Sequence, residues 1–317
     1  MIMLTKKQQY ELIASIKGRG EIPLKFAYLG EGAKNWDAIA KQRSDKTKGI
    51  NSVEAELLRK KIKNFISSFP NCKKINIIDV GCGNGEPVVP ILDILAEQDI
   101  QLRYVPIDIS SDMLSMAEKF VKNNYKNIQT KPIELDFEMG NFSDIMFELK
   151  ESGYSNLLLF LGSTLGNHSD RQRVLTNFRD SMSSEDFFIL GVELTNFSKI
   201  NRILPHYKGK LPEEFLYFIP DYIGIKRSDT EYDVSWNDKL NQVEVKVILK
   251  KNSNVKIGSE KFTLEKEEQI LLSRSVKFTE WTITKLLSDV GFRTELLTTT
   301  EDRGYLLSMV QPTRYGV

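Results

Sequence analysis

Ile77-Ile78-Asp79-Val80-Gly81-Cys82-Gly83-Asn84-Gly85-Glu86 reads as a buried strand that runs into a glycine-rich turn. Apolar and β-branched residues surround one acid, and three glycines then follow at alternate positions. Glycine has no Cβ to hold a ligand away and tolerates φ > 0, so such a turn brings backbone N–H groups close to a bound group. The reading is a nucleotide-type cofactor site, and the spacing decides which kind.

Outward from this turn the chain alternates. Strands are expected at 75–80, 103–108, 128–135, 156–161 and 186–194, with helices at 90–97, 111–123 and 170–182 between them. Ser110 or Ser111 is the expected cap of the second helix. Strand and helix in alternation predict a parallel sheet with crossover helices. After Leu194 the alternation stops. Pro205, Pro212 and Pro220 punctuate an irregular stretch, and antiparallel strands are expected over 234–250 and 260–278, joined at Lys251-Asn252-Ser253-Asn254. A helix over 279–290, stopped by Gly291, and strands at 293–299 and 305–310 resume the sheet. Residues 1–65 read as mostly helical, with Leu57, Leu58, Ile62, Phe65 and Ile66 at helical spacing before Pro70. The expected organisation is a core of 66–194 and 278–317, an insertion of 195–277, and an N-terminal part, 1–65, that joins the insertion.

Bulk composition narrows the classes. The 317 residues carry a formal net charge of +1, which offers no global field for nucleic acid or an anionic membrane. The longest apolar runs, Leu157–Leu161 and Phe187–Val192, are far short of a membrane span. Cys72 and Cys82 are too few for a disulfide framework, and two histidines, His168 and His206, form no metal-ligand spacing. A cytoplasmic protein without a metal is expected.

The glycines follow the spacing G-x-G-x-G, not the G-x-G-x-x-G of dinucleotide folds, and no lysine follows them as in a phosphate-binding loop. Glu86 would repel a pyrophosphate. Asp108, at the end of the second strand, can accept two hydrogen bonds from a ribose diol. Asp136 can accept from an adenine amino group, and Phe137 can donate its backbone N–H to the ring. A nucleoside with a cationic tail, S-adenosylmethionine, fits this set. A lone Asp108 or Asp136 would equally suit a helix cap or a loop; their order along the strands carries the reading.

Phe160-Leu161-Gly162-Ser163-Thr164-Leu165-Gly166-Asn167, with Tyr104-Val105-Pro106-Ile107-Asp108-Ile109-Ser110 and Leu135-Asp136-Phe137, resembles the histidine-specific methyltransferase family. That family includes the ergothioneine-pathway enzyme and fungal N-methyltransferases acting on tryptophan and prenylated tryptophan. The resemblance implies an α/β fold, a Rossmann-like class I methyltransferase with an inserted α+β substrate domain. It implies that Gly81, Gly83, Asp108, Asp136, Phe137 and Ser163 hold the cofactor. It further implies that Asn167 and Tyr28 hold and orient the substrate's amine, and that Tyr207 binds its carboxylate. Taken alone, Tyr28 and Tyr207 read as half-buried tyrosines, and Asn167 as a helix cap before Asp170. His168 reads as a solvated loop residue more readily than as a base.

Departures from the family pattern bear on the substrate. Histidine-specific members carry a glutamate and a serine two residues apart on a late strand facing the imidazole. Here Ser275 keeps the serine and Ser273 stands at the glutamate position. Val245 stands where a methionine narrows the pocket. Losing the carboxylate removes a charge-assisted bond worth roughly 1.5–3 kcal/mol. The expected acceptor is therefore a small-molecule amine larger than histidine, such as tryptophan or a derivative. Alternatives are histidine itself, and methylation at oxygen or carbon of another small molecule.

Overall fold

The computed structural model describes residues 4–45, 50–67, 73–150, 153–195 and 200–313. Helices α1 (Lys6–Arg19), α2 (Glu31–Asp45) and α3 (Ile50–Ser67) come first. Alternation follows: β1 (Lys74–Val80), α4 (Val89–Ala96), β2 (Gln101–Asp108), α5 (Ser111–Asn124), the short β3 (Gln129–Thr130) and β4 (Ile133–Glu134), α6 (Phe142–Lys150), β5 (Ser155–Phe160), α7 (Arg171–Ser181) and β6 (Phe187–Glu193). Short helices α8 (Ile200–Ile203), α9 (Lys210–Leu216) and α10 (Phe218–Ile223) lead to β7 (Thr230–Asn237), β8 (Gln242–Leu249), β9 (Ser253–Ile257), β10 (Glu260–Leu264) and β11 (Gln269–Val276). The chain closes with α11 (Glu280–Asp289), β12 (Phe292–Thr299) and β13 (Tyr305–Pro312). Two compact units result, Ala40–Thr195 with Phe278–Val317, and Met1–Ile39 with Asn196–Lys277.

The first unit is built on one sheet in the order β12-β13-β6-β5-β1-β2-β3, with β4 also on β2. β1, β2, β5 and β6 run parallel, while β13 is antiparallel to β6 and to β12. This is the expected Rossmann-like α/β fold. Its central strands are continuous apolar runs because helices cover both faces. Ser110 takes the α5 cap, its hydroxyl accepting from the Met113 N–H at 3.3 Å. Strand order reverses between β1 and β5, so their carboxyl ends open the crevice where such sheets bind ligands.

The N-terminal boundary differs from the expected 65. Leu57, Leu58, Ile62 and Phe65 of α3 are buried with Ile75, Ile77, Leu157 and Leu307 in the core of this sheet, so α3 belongs to the first unit. The expected strand over 128–135 is broken into β3 and β4 at Pro132, which has no N–H to donate to a ladder. α6 was not foreseen. Cys72 and Pro70 lie outside the described residues.

In the second unit, β11-β8-β7 form an antiparallel sheet. Gly20, at φ 59°, ends α1, and the chain then runs beside β11: the Leu271 N–H donates to the Gly20 carbonyl and the Ile22 N–H to the Leu271 carbonyl. Leu12, Ile16, Phe26, Ile219, Val245 and Val247 share its core. The expected turn at 251–254 is shorter, since Ser253 and Asn254 already pair in β9. β9 and β10 are a separate hairpin closed at Gly258-Ser259, with Gly258 at φ 61°.

The insertion leaves and rejoins the first unit side by side. Leu194 bridges Phe278, the Phe278 N–H donates to the Glu193 carbonyl at 3.0 Å, and the Thr195 N–H to the Phe278 carbonyl at 2.6 Å. No helix among the described residues is long and apolar enough to cross a membrane.

Candidate active site

Gly81, Gly83 and Gly85 all take positive φ, 68°, 54° and 81°, which explains three glycines in five residues. The Gly81 N–H donates to the Ile107 carbonyl at 2.7 Å, tying the turn to the end of β2. A Cβ on Gly81 would meet only side chains, Thr164 at 3.6 Å, Phe137 at 3.8 Å and Phe160 at 4.0 Å. Gly81 therefore faces an aromatic-lined cradle. A Cβ on Gly85 would press within 3.1 Å of the Ala117 backbone. That glycine serves helix packing.

Asp108 is buried at the end of β2. Its carboxylate accepts from the Ser110 N–H at 3.0 Å and from the backbone N–H groups of Gly83 and Ile109. Burial pushes its carboxyl up to about 6, against the pull of those bonds. Asp136 accepts the Glu138 N–H at 3.1 Å. The Phe137 ring stands edge-on to Phe160 and His168, at 5.6 and 5.4 Å between centroids, and its carbonyl accepts from Asn177 at 2.9 Å. The donor set therefore fits S-adenosylmethionine: a buried carboxylate acceptor for a diol, a half-buried one for an amino group, an aromatic wall, and acids that favour a cationic ligand.

Ser163 and Asn167 sit on the turn after β5. Gly162 and Ser163 are both left-handed, φ 70° and 58°, a strained setting for serine. What holds it was invisible in the sequence. Buried Glu54 of α3 accepts from the Gly162 N–H, 2.9 and 3.1 Å from its two oxygens, and from the Tyr305 hydroxyl. Tyr305 in turn accepts from the Ser163 N–H. The Ser163 hydroxyl accepts from the Glu193 N–H at 2.8 Å. Burial raises Glu54 to about 7, with the Tyr305 and Gly162 bonds opposing it. Asp79, the acid of the opening motif, accepts from the buried Tyr104 hydroxyl at 2.8 Å and is likewise raised by burial, to about 7.

Asn167 ends the short 3-10 turn Thr164–Asn167, and its side chain is half-buried. The α7 cap is Asp170, which accepts from the Arg173 N–H at 2.9 Å, so the capping alternative for Asn167 falls away. His168 is not solvated. Its Nδ1 lies 2.5 Å from Glu138, its ring stacks on Phe160, and its Nε2 is enclosed without a partner. Its Nδ1 is engaged by Glu138, whose side chain is partly exposed. It joins the segment carrying Asp136 and Phe137 to the turn carrying Asn167.

The remaining predicted residues lie in the second unit. Tyr28 packs with Trp36 and Phe215, at 5.5 and 5.1 Å between ring centroids. Ser273 and Ser275 point to one face of β11, paired with Val245 and Val243 on β8. The Lys277 ammonium donates to Ser275 Oγ at 2.9 Å and to the Tyr207 hydroxyl at 3.3 Å, while Tyr232 donates to the Tyr207 carbonyl at 2.9 Å. Val245 stands apart. It is 0% exposed within the core and lines no open surface. Sequence reading passed over Glu54, Asp79, Glu138 and Lys277. Only Asp79 carried a local signal, an acid within an apolar strand. An open depression of ≈ 500 Å³ lined by Glu138, Met139, Asp170, Arg173 and Asn177, among others, involves none of the predicted site residues.

A family of proteins described as S-adenosylmethionine-dependent, histidine-specific methyltransferases matches residues 8–312. A histidine N-alpha-methyltransferase of Mycobacterium tuberculosis is 25% identical over 239 residues, covering 71% of each chain. The N-methyltransferase imqF of Aspergillus flavus is 22% identical over 270 residues, covering 80% of this chain and 71% of its own. Among solved structures, an S-adenosylmethionine-dependent methyltransferase of Clostridium acetobutylicum is 11% identical, with a TM-score of 0.43 over 98% of this chain and all of its own.

Proposed function

Because the chain belongs to the histidine-specific, S-adenosylmethionine-dependent methyltransferase family and is an N-methyltransferase, we propose that its acceptor is the α-amine of an aromatic amino acid larger than histidine, tryptophan or a relative of it. One observation carries the choice. By the resemblance, Ser273 stands at the position of the glutamate that faces imidazole in the histidine-specific pattern, and its partner across the sheet is the apolar Val245. A neutral serine gives no charge-assisted bond to an imidazole. The ring cluster of Tyr28, Trp36 and Phe215 supports the same reading, since such rings pack favourably on another aromatic group.

S-adenosylmethionine supplies a methyl group on a sulfonium, electrophilic toward a neutral amine. The protein's part is alignment and the state of the amine. In our reading Asp108, Asp136, the Phe137 N–H and the glycine turn hold the nucleoside, with Ser163 keeping its turn in shape. Asn167 directs the lone pair of the amine along the line of attack. Alignment of this kind is worth about 7–11 kcal/mol in favourable cases. The amine's proton leaves to water. Tyr207 binds the carboxylate.

The test is release of S-adenosylhomocysteine with a panel of histidine, tryptophan, tyrosine and their N-blocked forms. Turnover of tryptophan well above histidine is expected, with none for N-blocked acceptors. Histidine turned over far faster than tryptophan would overturn the reading of Ser273, and methylation of the blocked forms would point to oxygen or carbon.

A further inference from the structure

Glu138 and His168 stand 30 residues apart in sequence and meet within the first unit. A carboxylate can only accept, so the ring donates through its Nδ1–H, and the 2.5 Å separation is that of a short, charge-assisted bond. Each end of the pair is stiffened by its own segment. Glu138 follows Asp136 and Phe137 in a compact turn. The Asp136 carboxylate takes the Glu138 N–H at 3.1 Å, and the Asp136 carbonyl takes the Met139 and Gly140 N–H groups at 3.1 and 2.6 Å. His168 closes the 3-10 turn that ends at Asn167. Its N–H donates to the Leu165 carbonyl at 3.3 Å, and its carbonyl takes the Arg171 guanidinium at 2.8 Å. The imidazole is buried against Phe137 and Phe160, the two rings that a Cβ on Gly81 would meet. A phenylalanine would fill this aromatic setting at no polar cost. Histidine leaves Nε2 enclosed without a partner among the described residues, and the bond to Glu138 is what offsets that cost.

We propose that His168 is a positioning residue: with Glu138 it latches the Asp136-Phe137 segment to the Asn167 turn, so that binding of the nucleoside fixes the residue that directs the amine. The inference rests on the proposed roles of Asp136, Phe137 and Asn167 and deepens them, by making cofactor and acceptor bind cooperatively. Ring packing alone is less directional than the hydrogen bond and transmits less of a displacement from one segment to the other. By linkage, whatever the nucleoside adds to the acceptor's affinity, the acceptor returns to the nucleoside's.

Calorimetry on the full chain measures tryptophan with and without saturating S-adenosylhomocysteine, and S-adenosylhomocysteine with and without saturating tryptophan. In the unaltered protein each is expected to tighten the other by about tenfold. His168→Phe keeps the ring packing, and Glu138→Ala removes the acceptor. In both the factor falls to about twofold or less, while each ligand alone keeps its affinity within about threefold. His168→Asn, whose amide can donate from the place of Nδ1–H, retains most of the coupling. Independent binding in the unaltered protein overturns the inference. So does full coupling in His168→Phe and Glu138→Ala, or a loss in which both ligands alone weaken by the same factor, as a merely structural role requires. Should His168→Phe not fold, Glu138→Ala, at a partly exposed side chain, decides alone. If tryptophan does not bind, histidine takes its place in the same titrations; the proposed acceptor is then refuted while the coupling is still read. If neither binds, the side-chain amide signal of Asn167 in proton–nitrogen spectra decides. S-adenosylhomocysteine should shift it in the unaltered protein and not in Glu138→Ala, and equal shifts in the two, or none in either, overturn the inference.

Discussion

Replacing Glu54 by glutamine isolates one buried charge. The carboxyl rises from an ordinary 4.5 to about 7 on folding, chiefly through burial. An acid raised on folding keeps its proton longer in the folded state. Its penalty is absent below the unfolded value, grows as pH climbs from 4.5, and is complete above the folded value. At about 1.4 kcal/mol per unit, the full penalty is about 3 kcal/mol, of which about 1.4 kcal/mol develops between pH 6 and 8. Glutamine has the same shape and does not titrate. Its carbonyl still accepts from the Gly162 N–H, while its amide must donate to the Tyr305 oxygen, so Tyr305 has to turn its proton elsewhere. That rearrangement costs stability evenly across pH. Asp108 titrates in both proteins, so its contribution cancels in the difference; Asp79, whose charge helps to raise Glu54, leaves a smaller coupling on top of it. Urea unfolding of the ligand-free proteins at pH 6, 7 and 8 is the assay. The unaltered chain should lose about 1.4 kcal/mol more than Glu54→Gln across that range. Parallel curves would show that Glu54 does not change protonation there, and would refute the account of a carboxylate desolvated beneath the Ser163 turn.

Gly81→Ala should cost about 1–2 kcal/mol for the left-handed backbone alone. It has side-chain room, so the expected result is a folded protein with weakened S-adenosylhomocysteine binding by calorimetry. Gly85→Ala adds contact with the Ala117 backbone and should show a larger drop in melting temperature than Gly81→Ala; equal drops would count against the packing role. Asp108→Asn should weaken S-adenosylhomocysteine about 10–100-fold by removing a charged acceptor, and an unchanged affinity would remove Asp108 from the site. In a Cys72→Ser protein the Cys82 thiol, pushed well up by burial, should resist a thiol reagent in native buffer and react on unfolding; rapid native labelling would contradict its enclosure.

The parts of this protein that were legible in sequence are those written locally. The glycine turn, Asp108 and the Asp136-Phe137 pair each follow a strand, and strand patterning places them in register at one edge of the sheet. The α11 helix with its Gly291 stop and the Ser110 cap are equally local. What was hidden depends on distant partners. Glu54 meets Gly162 and Tyr305, residues far along the chain, and nothing in Ser52-Val53-Glu54-Ala55 signals a buried acid rather than a solvated helix face. The same blindness put the boundary of the N-terminal part at 65. The helical spacing of Leu57, Leu58, Ile62 and Phe65 shows an apolar stripe and cannot say which core it enters. Val245 reads as one residue of an alternating strand, and alternation does not distinguish a packed face from a ligand wall. The break at Pro132 was readable from proline's missing donor, and the apolar Ile128, Ile133 and Leu135 around it outweighed that signal.

The paired strands at Leu194 and Phe278 have a consequence for how such a chain changes over generations. Both ends of an 82-residue excursion, Asn196–Lys277, are fastened at one point of the sheet, so length and sequence can drift within the excursion without moving the strands that carry the glycine turn. If the insertion chooses the acceptor, as we propose, it and the methyl-donating frame are exposed to selection almost independently. One amine can then be traded for another by rewriting the inserted segment, while the frame goes on folding as before.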